Sequence, residues 1–202
     1  MTEAGNTDPG VVVAGTASVT GQLAATDVDT AATQAWSLTG TPSTTYGALT
    51  INPTTGEWTY TLDNSLNATQ ALKEGATATE TYTARVTDDK GAYVDQTITI
   101  TINGTNDAAV IGTPTVASVT EDSAVNGSGN LTATGSISIS DVDSAATFST
   151  SVANVGTPLG TLVLAADGSY TYTVANSAVQ SLGGATATAT DQFTITATDG
   201  TT

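Results

Sequence analysis

The 202-residue chain has no cysteine and no histidine, and Lys73, Arg85 and Lys90 are its only cationic side chains. Each scarcity excludes something. Without cysteine there is no disulfide, and without either residue there is no Cys or His zinc site and no Ser-His or Cys-His nucleophile pair. A formal charge of -16 repels phosphate backbones and anionic membranes, which argues against nucleic acid and lipid head groups as partners. No apolar run approaches the roughly 20 residues that span a bilayer, and the opening MTEAGNTDPG has neither the charged n-region nor the h-region of a secretory signal. The chain therefore reads as a soluble piece of a longer parent, whose targeting signal is expected elsewhere.

What is present is the bias of a sheet protein. The chain is 39% hydrophobic and rich in Thr, Val, Ile and Ala, a profile unlike that of a disordered acidic tail. It also repeats itself. Asp27-Val28-Asp29 returns as Asp141-Val142-Asp143, and Gly56-Glu57-Trp58-Thr59-Tyr60 returns as Gly168-Ser169-Tyr170-Thr171-Tyr172. Asn64-Ser65 returns as Asn176-Ser177, the run from Tyr82 to Asp88 as the run from Phe193 to Asp199, and Thr2-Glu3 as Thr120-Glu121. A spacing that drifts between about 111 and 118 residues is the length of a whole domain and not of a solenoid unit. The expected organisation is two domains, 1–107 and 108–202, joined near 103–113.

In the first copy, alternating segments bounded by turn residues predict about seven strands, near 11–18, 21–25, 35–38, 48–51, 57–62, 79–87 and 94–102. In the second, 162–165 and 169–174 flank Asp167-Gly168, a pair that favours a tight hairpin. The period of two puts Trp58, Tyr60 and Leu62 on one core-facing side, and likewise Tyr170, Tyr172 and Val174. The segments 64–72 and 176–182 lack alternation and predict at most a helical turn. The fold class expected is all-β: two tandem Ig-like or cadherin-like antiparallel sandwiches. Nothing after Asp199 matches the first copy's last strand, 94–102, so the second sandwich is expected to leave an open sheet edge able to pair with a neighbour.

Carboxylates gather in the predicted loops. In a seven-stranded antiparallel sandwich the loops after the second and sixth strands share a pole with the incoming chain. The first copy would place Asp27, Asp29, Asp88 and Asp89 there, with Glu3 on the incoming segment. The second would place Asp141, Asp143 and Asp199 there, with Glu121 and Asp122 incoming and Asn106-Asp107 in the linker. So many acids in a chain nearly devoid of cations need a counter-charge. Calcium fits, because it accepts about 6 to 8 oxygens with tolerant geometry, whereas magnesium prefers small octahedral, water-rich shells. A plainer reading is acidic loops kept for solubility; the recurrence of Asp-x-Asp at one place in both copies favours the metal. The candidate ligands are Asp27, Asp29, Asp88, Asn106, Asp107, Glu121, Asp141, Asp143 and Asp199.

The order Thr-Asp-Val-Asp (26–29), Gly-Ala-Leu-Thr-Ile-Asn (47–52), Gly-Glu-Trp-Thr-Tyr-Thr-Leu-Asp-Asn (56–64), Val-Thr-Asp-Asp-Lys-Gly (86–91) and Ile-Asn-Gly-Thr-Asn-Asp-Ala (102–108) resembles the VCBS repeat. The match covers nearly the whole chain, with Gly104-Thr105-Asn106-Asp107-Ala108 its most characteristic piece and Ala109 a departure where the family usually has proline. The resemblance implies a secreted or surface-attached bacterial protein: repeats of a long RTX-type adhesin exported by type I secretion, serving cell adhesion and biofilm formation. It also implies linker calcium similar to that of cadherins, with Asn106, Asp107, Asp141, Asp143 and Asp199 serving the junction and Asp27, Asp29 and Asp88 the first module's entrance. The function expected is a calcium-stiffened extender whose partners are neighbouring repeats of the same chain.

Two other classes compete. A carbohydrate- or protein-binding module would need exposed aromatics, and of Trp36, Tyr46 and Tyr93 each is expected to be packing. A glycosidase would use paired carboxylates in a cleft, whereas these acids lie in loops beside a linker, so no enzyme is expected. A covalent Lys-Asn or Lys-Asp cross-link would need a buried lysine, and both Lys73 and Lys90 are expected in solvent.

Overall fold

The computed structural model describes residues 1–7, 11–28, 32–115, 117–183 and 187–199. The chain divides into two compact units, Met1–Ala108 and Ala109–Thr202.

The first unit is built from β1 (Gly5–Thr7), β2 (Val11–Val13), β3 (Ser18–Gln22), β4 (Gln34–Thr39), β5 (Gly47–Ile51), β6 (Glu57–Leu62), a single helical turn α1 (Asn67–Gln70), β7 (Thr77–Asp88) and β8 (Tyr93–Asn103). Two three-stranded antiparallel sheets, β3-β6-β5 and β4-β7-β8, carry the fold, and β1 pairs with β2 separately. The alternation in β8 shows why it closes the core. Ile98, Ile100 and Ile102 point inward and are buried, while the threonines between them face water. They pack with Leu49, Tyr60, Leu62, Tyr82 and Ala84 into one cluster, over which Trp58 and Tyr46 lie partly buried.

The predicted strand 11–18 does not form as one piece. It breaks at Gly15, whose φ of +65° suits glycine and whose missing Cβ leaves room for Thr2, Glu3 and Ala4 to pass within 2.8 Å of where it would stand. That leading segment runs parallel to the end of β8: Thr2 bridges Asn103, Asn103 N donates to Met1 O and Glu3 N donates to Asn103 O.

The second unit comprises β9 (Val110–Ile111), β10 (Asn130–Ser136), β11 (Ile139–Ser140), β12 (Thr147–Phe148), β13 (Ala153–Val155), β14 (Thr161–Leu164), β15 (Ser169–Ala175), a helical turn α2 (Asn176–Val179), β16 (Gln192–Thr194) and β17 (Ala197–Thr198). The sheet β10-β15-β14 is continuous, with the β14–β15 hairpin turning at Asp167-Gly168, where Gly168 has φ +84°. Among the described residues its opposite layer has two short pairs, β12 with β17 and β13 with β16, and β9 adds to β11. Among the described residues the buried ones form two clusters: Ile137, Phe148, Leu164 and Tyr170, and separately Leu131, Val174 and Val179. No helix among the described residues is long and apolar enough to cross a membrane.

Candidate functional site

Strand direction decides which acids can meet. In the first unit β8 runs from Tyr93, beside the turn that starts at Asp88, to Asn103, so these residues mark opposite ends of an eleven-residue strand. At its start, Asp27 and Asp88 line one groove. The Asp88 carboxylate accepts from Lys90 N and Ala92 N, each at 2.8 Å, which fixes the turn. Asp89 pairs with Lys90 in solvent at 2.7 Å. Asp29 lies outside the described residues.

At the far end stands a different set. Glu3 is buried; its carboxylate accepts from Gln70 Nε2 at 3.0 Å and from Thr105 N, and Thr105 Oγ1 donates to Glu3 O at 3.0 Å. Asn106 is buried beside it, with Nδ2 donating to Asn6 O at 2.9 Å and its own carbonyl accepting from Asn6 N at 2.7 Å. Asp107 follows, half-buried.

The second unit divides in the same manner. Asp141 Oδ1 accepts from Asp143 N and Ser144 N, both at 3.1 Å, an Asx-type turn that presents the two aspartates together. The Ser144 hydroxyl donates to Asp199 O, which draws the loop after β11 to the end of β17. Asp143 is 6% exposed and Asp199 1% exposed. Glu121 is elsewhere. Its neighbour Asp122 is held by Asn176 and Gln180, which follow β15 at the end where Ala175 pairs with Asn130. The seven residues of β10 alone put about 20 Å between that end and the Asp141 end.

The expectation that Glu3, Glu121 and Asp122 share a pole with the Asp-x-Asp loops is therefore corrected. The leading segment of the first unit pairs in parallel with the end of β8 and carries Glu3 to the opposite end; in the second unit the bonds from Asn176 hold the Glu121 segment away from Asp141. Sequence spacing shows loop order, but not which strand an incoming segment will join.

Asp141 Oδ2 and Glu121 Oε2 are buried and accept no hydrogen bond among the described residues. A buried carboxylate oxygen without a donor is costly unless a positive charge is supplied, and the chain has three cations, of which Arg85 and Lys90 are engaged with Asp95 and Asp89. Among the described residues no group of three or more acidic side chains gathers to hold a metal.

One pair of carboxylates that tie segments together escaped the sequence reading. Glu80, on the inner face of β7 and 3% exposed, accepts from Tyr60 Oη at 2.7 Å, Tyr82 Oη at 2.9 Å, Ser43 Oγ at 2.5 Å, Thr45 N at 3.0 Å and Tyr46 N at 3.2 Å. Burial pushes its carboxyl up, but the bonds from Ser43, Tyr60, Tyr82 and Tyr46 outweigh that and hold it below the usual range. Burial together with the Glu80 charge pushes both tyrosine hydroxyls well above theirs. Asp191 does the same work in the second unit, accepting from Tyr172 Oη at 2.6 Å, Leu159 N at 2.9 Å and Gly160 N at 2.8 Å. For Glu80 the signal available in the sequence was an acid at an inward position of an alternating strand; Asp191 precedes β16 and carried no such signal.

Of the three aromatics weighed as sugar platforms, Trp36 is buried and Tyr46 packs on the core. Tyr93 is 57% exposed, not packed as expected, with the Arg85 guanidinium 3.6 Å from its ring centroid. Lys73 and Lys90 are exposed.

Comparison with known proteins gives a family and a fold. The family model described as "Bacterial cadherin-like domain" matches residues 2–104 and again 106–202. Among solved structures the chain is similar to one titled "Protocadherin gammaB7 EC3-6 cis-dimer structure", at 14% identity and a TM-score of 0.40, over 79% of this chain and 35% of that one. No curated protein matches.

Proposed function

Because the chain belongs to the bacterial cadherin-like domain family, twice over, we propose that its two units are calcium-binding extender repeats of a long bacterial surface adhesin. Domains of this family are adhesion-related extracellular repeats, typically structural and not enzymatic, and they generally bind Ca2+. The finer assignment to VCBS repeats of RTX-type adhesins, secreted by a type I route and serving biofilm formation, belongs to the same proposal and rests on the closing Gly104-Thr105-Asn106-Asp107-Ala108 motif.

The observation that carries the calcium reading is the pair of buried carboxylate oxygens, Asp141 Oδ2 and Glu121 Oε2, that lack a hydrogen-bond donor among the described residues. Calcium would be held by Asp141, Asp143 and Asp199 at one end of the second unit and by Glu121 at the other. In the first unit it would be held by Asp27, Asp29 and Asp88 at one end and by Asn106 and Asp107 at the other. The ion supplies counter-charge and fixes loops that would otherwise repel one another, so its effect is mechanical: the repeats resist bending and keep a distal adhesive domain away from the cell.

The test is thermal unfolding in millimolar calcium against excess chelator. A ligand that binds only the folded state stabilises by about 2.7 kcal/mol at a hundredfold excess over its Kd. A rise in Tm with calcium, absent with magnesium and reduced by Asp141→Asn, is expected. No shift would leave the acids as solvated loops and the chain as a spacer without a metal. Scattering under the same two conditions should show a larger maximum dimension with calcium.

A further inference from the structure

The chain has two Asn-Gly pairs, Asn103-Gly104 and Asn126-Gly127. In such a pair the glycine amide nitrogen can attack the asparagine Cγ, because no Cβ on the second residue obstructs the approach or restricts its backbone. Whether it does so depends on how free that amide is, and here the two pairs differ. Gly104 is buried, its N donates to Ala76 O at 2.9 Å, and a Cβ added there would collide with Leu72 O. Asn103 is the last residue of β8 and pairs with Thr77. The rotation that ring closure needs would break this strand end, so the fold holds the first pair inert.

The second pair is built the other way. Gly127 is exposed, its amide donates no hydrogen bond among the described residues, and a Cβ added there would meet nothing within 4 Å. Asn126 is exposed as well, yet its side chain is held. Its Oδ1 accepts from Ser128 N and from Asn130 N, both at 3.0 Å. The bond from Ser128 folds the carboxamide back along its own main chain, past the Gly127 amide. Both bonds also end on the oxygen where negative charge develops once Cγ is attacked. Two main-chain N–H groups aimed at a developing oxyanion are the device by which acyl-transfer sites lower their barrier.

We propose that Asn126 is a self-modification site, which closes onto Gly127 N and rearranges to isoaspartate while Asn103 stays intact. Hydroxide takes the Gly127 amide proton, the nitrogen bonds to Cγ, Ser128 N and Asn130 N hold the charge on Oδ1, and the Cγ–Nδ2 bond breaks as ammonia leaves. Water then opens the cyclic imide. Cleavage of its Cγ–N bond gives aspartate; cleavage between the Asn126 carbonyl carbon and Gly127 N gives isoaspartate, whose main chain runs through Cβ and Cγ. Either product adds a negative charge, but only isoaspartate lengthens the main chain. The position makes that consequential. Asn126 N donates to Asn130 O and Gly129 N to Asn126 O, each at 2.9 Å, and Asn176 N donates to Gly129 O at 3.0 Å, tying the turn to the end of β15. Leu131, beside Asn130, is buried with Val174 and Val179. An extra methylene at 126 breaks the bonds that start β10, so the reaction is a slow timer that loosens the second unit.

The experiment ages the full chain at mildly alkaline pH, beside the same chain in urea and a peptide of residues 122–131. Products are mapped by mass spectrometry with electron-transfer fragmentation, which separates isoaspartate from aspartate. In the folded chain Asn126 should lose its amide about tenfold or more faster than Asn103, and no slower than in the peptide, whereas in urea the two asparagines should converge. Gly127→Ala, whose methyl enters open space, should slow the reaction about tenfold or more and leave the melting of fresh protein unchanged. Ageing should lower the second unit's transition in the unsubstituted chain. Fresh Asn126→Asp, which carries the charge without the longer main chain, should melt like fresh unsubstituted protein. Protection of Asn126 in the folded chain relative to the peptide, or equal loss at Asn103, would overturn the proposal. So would aspartate as the sole product, or an equal fall of the transition in aged Gly127→Ala.

Discussion

In the first unit β6 lies between β3 and β5, and in the second β15 lies between β10 and β14, at matching registers: Val19 faces Tyr60 as Ala133 faces Tyr172, and Leu49 faces Tyr60 as Leu162 faces Tyr172. The opposite sheets part company. The first unit has a twelve-residue β7 paired with an eleven-residue β8, whereas the aligned part of the second is a two-residue and a three-residue pair. Even there the local pairing is shared, since Trp36 faces Val86 as Phe148 faces Ala197. Ile98, Ile100 and Ile102 of β8, the third strand of its sheet, join Tyr60, Leu62, Tyr82 and Leu49 into one cluster, whereas the buried residues described in the second unit fall into two. A sheet made of local hairpins stands by its own turns; the opposite layer gains its long strands from apolar residues brought in from far along the sequence.

If that comparison is right, truncating the third strand should act on one unit alone. Ile100→Ala is expected to lower the stability of the first unit by about 2–5 kcal/mol, from lost burial plus the cavity left behind, while the second unit's transition stays in place. Calorimetry of the full chain, with the transitions assigned by amide signals, reads this directly; equal movement of both transitions would mean the cores are not separate. Leu131→Ala should do the converse, toward the low end of that range, because its cluster has only three buried members.

The tyrosine-carboxylate latches give the next largest contrast. Glu80 takes five hydrogen bonds and Asp191 three. Glu80→Gln is therefore expected to cost about 2–3 kcal/mol and Asp191→Asn about 1–2 kcal/mol, each confined to its own unit. Acid should repeat the difference in graded form. Both carboxyls are held below their ordinary values, so the stability they contribute is present above the unfolded values of about 4.3 for Glu and 3.9 for Asp and is lost as pH falls through the folded ones. A pH series of melts should show Tm falling below about pH 4, and Glu80→Gln should flatten that fall in the first unit. An unchanged slope would remove Glu80 from the account.

These positions also mark how far the sequence could be read. The strands 35–38, 48–51, 57–62, 79–87 and 94–102 appear within two residues of their expected bounds because their alternation is local. The aromatic residues behave likewise: Trp58 lies over Gly21 and Tyr170 over Gly135, at distances that leave no room for a Cβ. The failures came from partnerships that no local pattern encodes. The break at Gly15 depends on a segment thirteen residues earlier, and the end at which Glu3 sits depends on β8, a hundred residues away. Glu80 went unread because four of its five donors come from two other segments, 43–46 and β6. The acids of the Asp-x-Asp loops were legible by type and by recurrence; whether an incoming acid joins them was a matter of strand pairing.

The smallest expected effect tests what kind of contribution β8 makes. Its exposed start carries the Arg85–Asp95 pair, with bonds of 2.7 and 2.8 Å, and the Arg85–Tyr93 contact. The bond to Asp95 holds the guanidinium above its ordinary value, and the bond from Arg85 holds the Asp95 carboxyl below its own. Such a pair in water gains little, because solvent screens it and two long side chains are immobilised to form it. Asp95→Asn should therefore leave the first unit's transition within experimental scatter in both low and high salt. A loss comparable with that of Ile100→Ala would show that the hairpin is held by charge and not by the isoleucines, and the contrast between the two units would then need an electrostatic explanation.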